Sequence, residues 1–220
     1  MIFGQDISLY LQAIQETLFM TLVSSFAAYI IGIPLGVLLY CTAKDGLTPN
    51  APVYNVLSVI VNLFRSIPFL ILLILVIPVT RVLVGTSIGS TAVIPPLVFS
   101  ASPYIARMVE SSLKEVNLGV IEAAKSMGAT NFQIITKVLL SESRPSLLIG
   151  AAISITTILG YSAMAGAVGG GGLGDVAIRF GYYRYKTDIM LITVVLLVII
   201  VQLIQEIFMG MARKSDKRTK

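Results

Sequence analysis

Apolar positions along the chain gather into long uncharged runs separated by short polar stretches. Thr17 to Thr42 holds no charge, and at about 20 residues per crossing this predicts a first membrane span. Gly32, Pro34 and Gly36 punctuate the run, and such residues are tolerated where neighbouring helices satisfy the freed backbone groups. Lys44-Asp45-Gly46, followed by Pro49 and Pro52, predicts a turn. A second span is expected from about Val56 to Val79, with Arg65 and Pro68 inside it. Arg81 to Gly89 forms a loop before a third span, roughly Ile88 to Met108. Pro95, Pro96 and Pro103 should bend or unwind that span, which suits backbone buried in protein or lining a cavity. The uncharged stretch from Pro145 to Gly174 predicts a fourth span, about Ser146 to Ala167, and Asp188 to Gly210 a fifth.

The polar stretch between spans three and four breaks this rhythm. It carries Glu110, Lys114, Glu115, Glu122, Lys125, Lys137, Glu142 and Arg144. Two short helices fit its centre. Asn117 is a good N-cap, Leu118, Ile121, Ala124 and Met127 fall on one face, and Gly128 supplies a left-handed residue to end the turn. Thr130 with Gln133 makes a capping box for a second helix running through Leu140. Ala123 and Ala124 leave one surface nearly flat, open to close approach by another protein's groove. The alternative is an ordinary amphipathic loop helix.

Composition agrees with the pattern. The 220 residues are 56% hydrophobic and 12% charged, with a mean hydropathy of +0.90, whereas soluble domains carry about 25% charged residues. A net charge of +5 in a soluble protein would point toward nucleic acid. Here the cations sit in loops and tail, so they report topology and no nucleic-acid partner is expected. With the polar stretch inside, the inner loops and tail hold eleven of the sixteen Lys and Arg residues. The outer side holds only Arg81, Arg179, Arg184 and Lys186, and Arg65 is intramembrane. The positive-inside rule then puts the N-terminus outside and the C-terminus inside.

The expected fold is an all-α membrane protein of five transmembrane helices with a cytoplasmic helix pair. Residues 1–15 read as an external or interfacial segment and not a signal peptide. Residues 16–211 form the transmembrane domain, the helix pair occupies 117–140, and 212–220 is a basic inner tail.

Candidate chemistry is sparse. The single cysteine, Cys41, excludes an internal disulfide, and the absence of histidine removes the commonest general base and metal ligand. Gly160-Tyr161-Ser162 has a serine, but no histidine exists to activate it, which disfavours a membrane enzyme. Gly169 to Gly174 is glycine-rich yet lacks a Gly-Lys-Ser/Thr ending, a preceding strand and an inner location, so it is not a phosphate loop. Tyr161, Ser162 and Met164 offer a ring, a hydroxyl and a thioether within a span, suited to passage of a small, partly apolar solute. Gly160, Ala163 and Ala167 suit close helix packing. Arg65 either snorkels or pairs structurally, or else serves transport directly. No acidic residue falls at mid-membrane and no internal repeat is visible. Both disfavour an ion-coupled secondary transporter.

Glu122-Ala123-Ala124 with Gly128, then Val138 and Leu140, resembles the EAA signature of permease subunits of type I ATP-binding-cassette importers. That signature usually ends in isoleucine, any residue, leucine and proline; Val138 and Ser141 depart from it, with Pro145 four residues later. The resemblance implies a coupling helix that docks into a cytoplasmic ATPase through Glu122, Ala123, Ala124, Gly128 and Ala129. Phe64-Arg65-Ser66-Ile67-Pro68, Ile105 to Glu110 and Gly160 to Met164 are similar to blocks of the methionine-importing members of that family. The resemblance extends over nearly the whole chain. It implies a homodimer in the bacterial cytoplasmic membrane with two copies of an ATPase and an extracytoplasmic substrate-binding lipoprotein. ATP-Mg would be held by the ATPase, and this chain would bind no cofactor. The solute is expected to be methionine or a related amino acid; an importer of another small solute is the alternative.

Overall fold

The computed structural model describes residues 7–216. All regular structure among them is helical. Helix α1 runs Ile7–Thr42, so residues 7–15, expected as a separate segment, are the first turns of the spanning helix; residues 1–6 lie outside the described residues. Gly32 and Gly36 set how α1 meets α4 (Ser90–Lys114). A Cβ on Gly32 would stand 2.6 Å from Ile105 Cγ2, and one on Gly36 would stand 2.6 Å from the Ala106 carbonyl oxygen. Two glycines four residues apart thus bring one helix face onto its neighbour without intervening side chains.

The second span is not one helix. Helices α2 (Ala51–Ser66) and α3 (Phe69–Val84) meet at a bend of 107°. Pro68 lacks an amide hydrogen and disfavours helical backbone in the residue before it. Ile67 accordingly sits at φ −81°, ψ 123°. Four helices are each long and apolar enough to cross a membrane, and the bent pair makes a fifth when its halves are taken together. Arg65 falls in the exposed last turn of α2, just before the bend, and not midway along a straight span.

Helix α4 lies at the centre, against α1, α2, α3 and α8 (Arg144–Ala165). It stays helical through Pro95, Pro96 and Pro103, against the expected unwinding. The three missing amide donors are tolerated because α4 is enclosed, with Leu97, Ile105, Val109 and Leu113 fully buried in the main core. The polar pair comprises α5 (Leu118–Ser126) and a turn, α6 (Asn131–Gln133). The second helix does not continue regularly to Leu140; it widens into a π-helical stretch, Ile134–Leu139, before a short α7 (Leu140–Glu142). After α8 come a short α9 (Gly172–Val176), a second π-helical stretch (Ala177–Tyr182) and α10 (Thr187–Ser215). Arg213 and Lys214 of the expected tail therefore belong to α10, and residues 217–220 lie outside the described residues.

Candidate functional site

The polar segment is built by its own caps. Asn117 Oδ1 accepts from the Gly119 amide at 2.8 Å, starting α5. Gly128 ends it at φ +80°, a conformation that favours glycine. Its amide donates to the Lys125 carbonyl at 2.9 Å and that of Ala129 to Ala124 at 3.1 Å. The expected capping box is present. Gln133 N donates to Thr130 Oγ1 at 3.3 Å, and Thr130 N donates to Gln133 Oε1 at 2.9 Å.

Two faces result. Ile121, Ala124, Ile134 and Leu139 enter the main core, which fixes the segment to the membrane domain. Glu122, Ala123, Lys125 and Gly128 face outward, and no atom lies within 4 Å of where a Gly128 Cβ would stand. The predicted stripe is half right. Leu118 and Met127 sit at the ends of α5, beyond the reach of the core, and are exposed, Met127 at 82%. Ala123 and Ala124 also separate, since neighbours on a helix point about 100° apart. Ala124 is buried at 5% and Ala123 is exposed. Phe132, 74% exposed, joins Leu118 and Met127 in a set of large apolar side chains on this otherwise polar segment.

Sequence reading missed a charged cluster just above the segment. Glu110, its side chain 3% exposed, takes Arg107 Nη1 on Oε2 and Lys114 Nζ on Oε1, both at 2.7 Å. Tyr54 donates its hydroxyl to Glu110 Oε1 at 3.2 Å. Arg107 also reaches α2: Nη2 donates to Asn62 Oδ1 at 3.1 Å, to the Ser58 carbonyl at 3.3 Å and to Ser58 Oγ. The signal was available. Arg107, Glu110 and Lys114 are spaced three and four apart, so they share one helix face.

The span-four candidates do not form one lining. Tyr161 is half-buried and stacks on Phe69 with ring centroids 4.6 Å apart and 4° between planes, so the bend before Phe69 is what supplies its partner. Ser162 is buried, its hydroxyl donating to the Leu159 carbonyl at 2.8 Å. Met164 is exposed, and Gly160 faces open space. Arg65 joins none of these.

At the opposite end the glycine-rich segment is a close-packed seam. A Cβ on Gly174 would fall 2.1 Å from the Ala163 carbonyl oxygen, and one on Gly166 would fall 2.3 Å from the Asp175 nitrogen. The first amides of α9 donate to α1: Gly172 N to Glu16 Oε2 at 2.7 Å and Leu173 N to Thr17 Oγ1 at 2.9 Å. The Gly89 amide donates to the Gly169 carbonyl at 3.0 Å.

The described residues thus form a bundle of apolar helices with one exposed, separately capped polar segment. Residues 32–220 match the family described as binding-protein-dependent transport system inner membrane component, and the chain belongs to that family. It is a bacterial inner-membrane permease subunit and not an enzyme.

Among its relatives, the probable D-methionine transport system permease protein MetI of Vibrio cholerae is 50% identical over 216 residues, covering 98% of this chain and 96% of that protein. The D-methionine transport system permease protein MetI of Escherichia coli K12 is 54% identical over 158 residues, 72% of this chain and 73% of that protein. In solved structures, a chain of the MetNI methionine ABC transporter in inward-facing conformations superposes with a TM-score of 0.94. It is 50% identical, covering 96% of this chain and 98% of that one. An amino acid ABC transporter chain at 20% identity and TM-score 0.76 shares the fold.

Proposed function

We propose that this chain forms the translocation pathway of a methionine importer. Two copies would pair with each other and with two copies of a separate ATPase that binds ATP-Mg, and an extracytoplasmic binding lipoprotein would deliver the solute. The chain itself holds no cofactor in this reading. The observation that carries it is the likeness to methionine-transport permeases at 50% identity over nearly the full length. The excess of Lys and Arg over all the loops and the tail on the polar segment's side supports an inward orientation for it, with the N-terminus outside and the C-terminus inside.

In this reading Glu122, Ala123, Gly128 and Ala129 meet the ATPase, together with Leu118, Met127 and Phe132. Ala124 acts from behind, by seating α5 in the core. ATP binding draws the two ATPase copies together and, with them, the two polar segments. The membrane helices then turn from inward-open to outward-open, and hydrolysis resets them. ATP drives this because its affinity differs between the two states. In this reading Tyr161 and Met164 meet solute, Ser162 holds the local helix geometry, and Arg65 stays exposed in the last turn of α2 without a role in the pathway.

The test is uptake. The chain, its ATPase and its binding protein, reconstituted in vesicles, should accumulate methionine only with ATP. Stimulation of hydrolysis by other amino acids, with none from methionine, would retire the solute assignment.

A further inference from the structure

Helix α4 ends at Lys114, four residues before α5 begins. Val116, between them, shares a core with Leu113, Ile121 and Ala124, so the root of α4 and the polar segment are packed as one body. The Arg107–Glu110 cluster sits one to two turns above that root and grips α2 at three successive helical levels, Tyr54, Ser58 and Asn62. These residues are four apart, on one face of α2. Arg107 supplies the grip in a form lysine cannot reproduce, because its planar fork donates to Glu110 and to α2 at once. Beyond Asn62, α2 runs only to Ser66 before the bend at Ile67 and Pro68. The next residue, Phe69, stacks on Tyr161.

We propose that Arg107 is a positioning residue that ties α2 to the root of the polar segment, so that a displacement of α5 is delivered to the bend and shifts Phe69 against Tyr161. The proposal rests on the importer reading and adds a route within it. A buried carboxylate with two cations and a phenol is a discrete arrangement that either holds or breaks. It therefore makes α2, α4 and α5 move together, with Ile67 and Pro68 as the point where α2 changes its angle to α3.

The experiment uses the whole complex in vesicles, recording ATP hydrolysis and methionine uptake together. Arg107→Lys keeps the charge beside Glu110 and removes the fork to α2. Asn62→Ala removes an exposed anchor on α2 and leaves the buried charges paired. Both should keep hydrolysis within about twofold of the unaltered complex, and uptake per ATP should fall about fivefold or more in Arg107→Lys and less in Asn62→Ala. A proportional loss of hydrolysis and uptake, with the ratio unchanged, would reduce the cluster to a structural support and overturn the proposal. So would unchanged uptake in both variants. An unaltered complex that hydrolyses ATP without importing methionine would instead sink the importer reading itself.

Discussion

The two ends of the bundle solve opposite problems with similar residues. At the glycine-rich end, glycines bring backbone against backbone, and the α9 amides are bonded to Glu16 and Thr17 of α1. At the polar end, Gly128 has open space around it, the caps are internal to the segment, and Leu118, Met127 and Phe132 stand exposed. Glycine is needed for close approach in one place and for a left-handed turn in the other. One end is closed on itself; the other leaves large apolar side chains uncovered.

The largest effect should come from breaking the closed end. Gly174→Val drives a branched side chain into the Ala163 carbonyl, with no flexible neighbour to yield. We expect a loss of about 3 kcal/mol or more, seen as a collapse in monodisperse protein extracted from membranes. A normal yield would show that the seam is loose. Next, Gly128→Val leaves the bundle intact and costs about 1–2 kcal/mol of local backbone strain. It should nonetheless uncouple uptake from hydrolysis in the reconstituted complex. Normal uptake would count heavily against the polar segment as the receiver of work.

Smaller changes sharpen the contrast. Thr17→Val preserves shape and strands the buried Leu173 amide, a loss of about 1–3 kcal/mol readable as a lower unfolding midpoint in detergent. Thr130→Ala removes an exposed cap, typically about 1 kcal/mol. Its unfolding midpoint should move less than that of Thr17→Val, and its transport more. The reverse order would erase the distinction between the two ends.

Much of this was legible in the sequence because it depends on local rules. Uncharged runs marked the long helices, and Asn117, Gly128 and the Thr130–Gln133 box were readable because capping needs only a few neighbouring residues. Features set by tertiary context were not. The prolines of α4 looked disruptive because the sequence does not reveal how fully its neighbours enclose it. Pro68 had the stronger effect, yet a proline alone does not distinguish a broken pair from a continuous helix, as Pro78 in α3 and the three prolines of α4 show. Ala123 and Ala124 read as one surface until the core claimed Ala124. The Arg107–Glu110 spacing was visible; its anchors on α2 were not, because Ser58 and Asn62 are ordinary helix residues until another helix reaches them.

In the importer reading, the bend at Pro68 would let α3 act as a lever. Its 16 residues extend about 24 Å from the pivot at the standard helical rise, so a tilt of about 5° sweeps the far tip by about 2 Å. That exceeds the tolerance of a hydrogen bond. Just past the tip, Gly89 holds Gly169 by one such bond. In the importer reading, a small angular change at the bend would reach this contact through the α3 tip and the short loop that joins it to Gly89, the N-cap of α4.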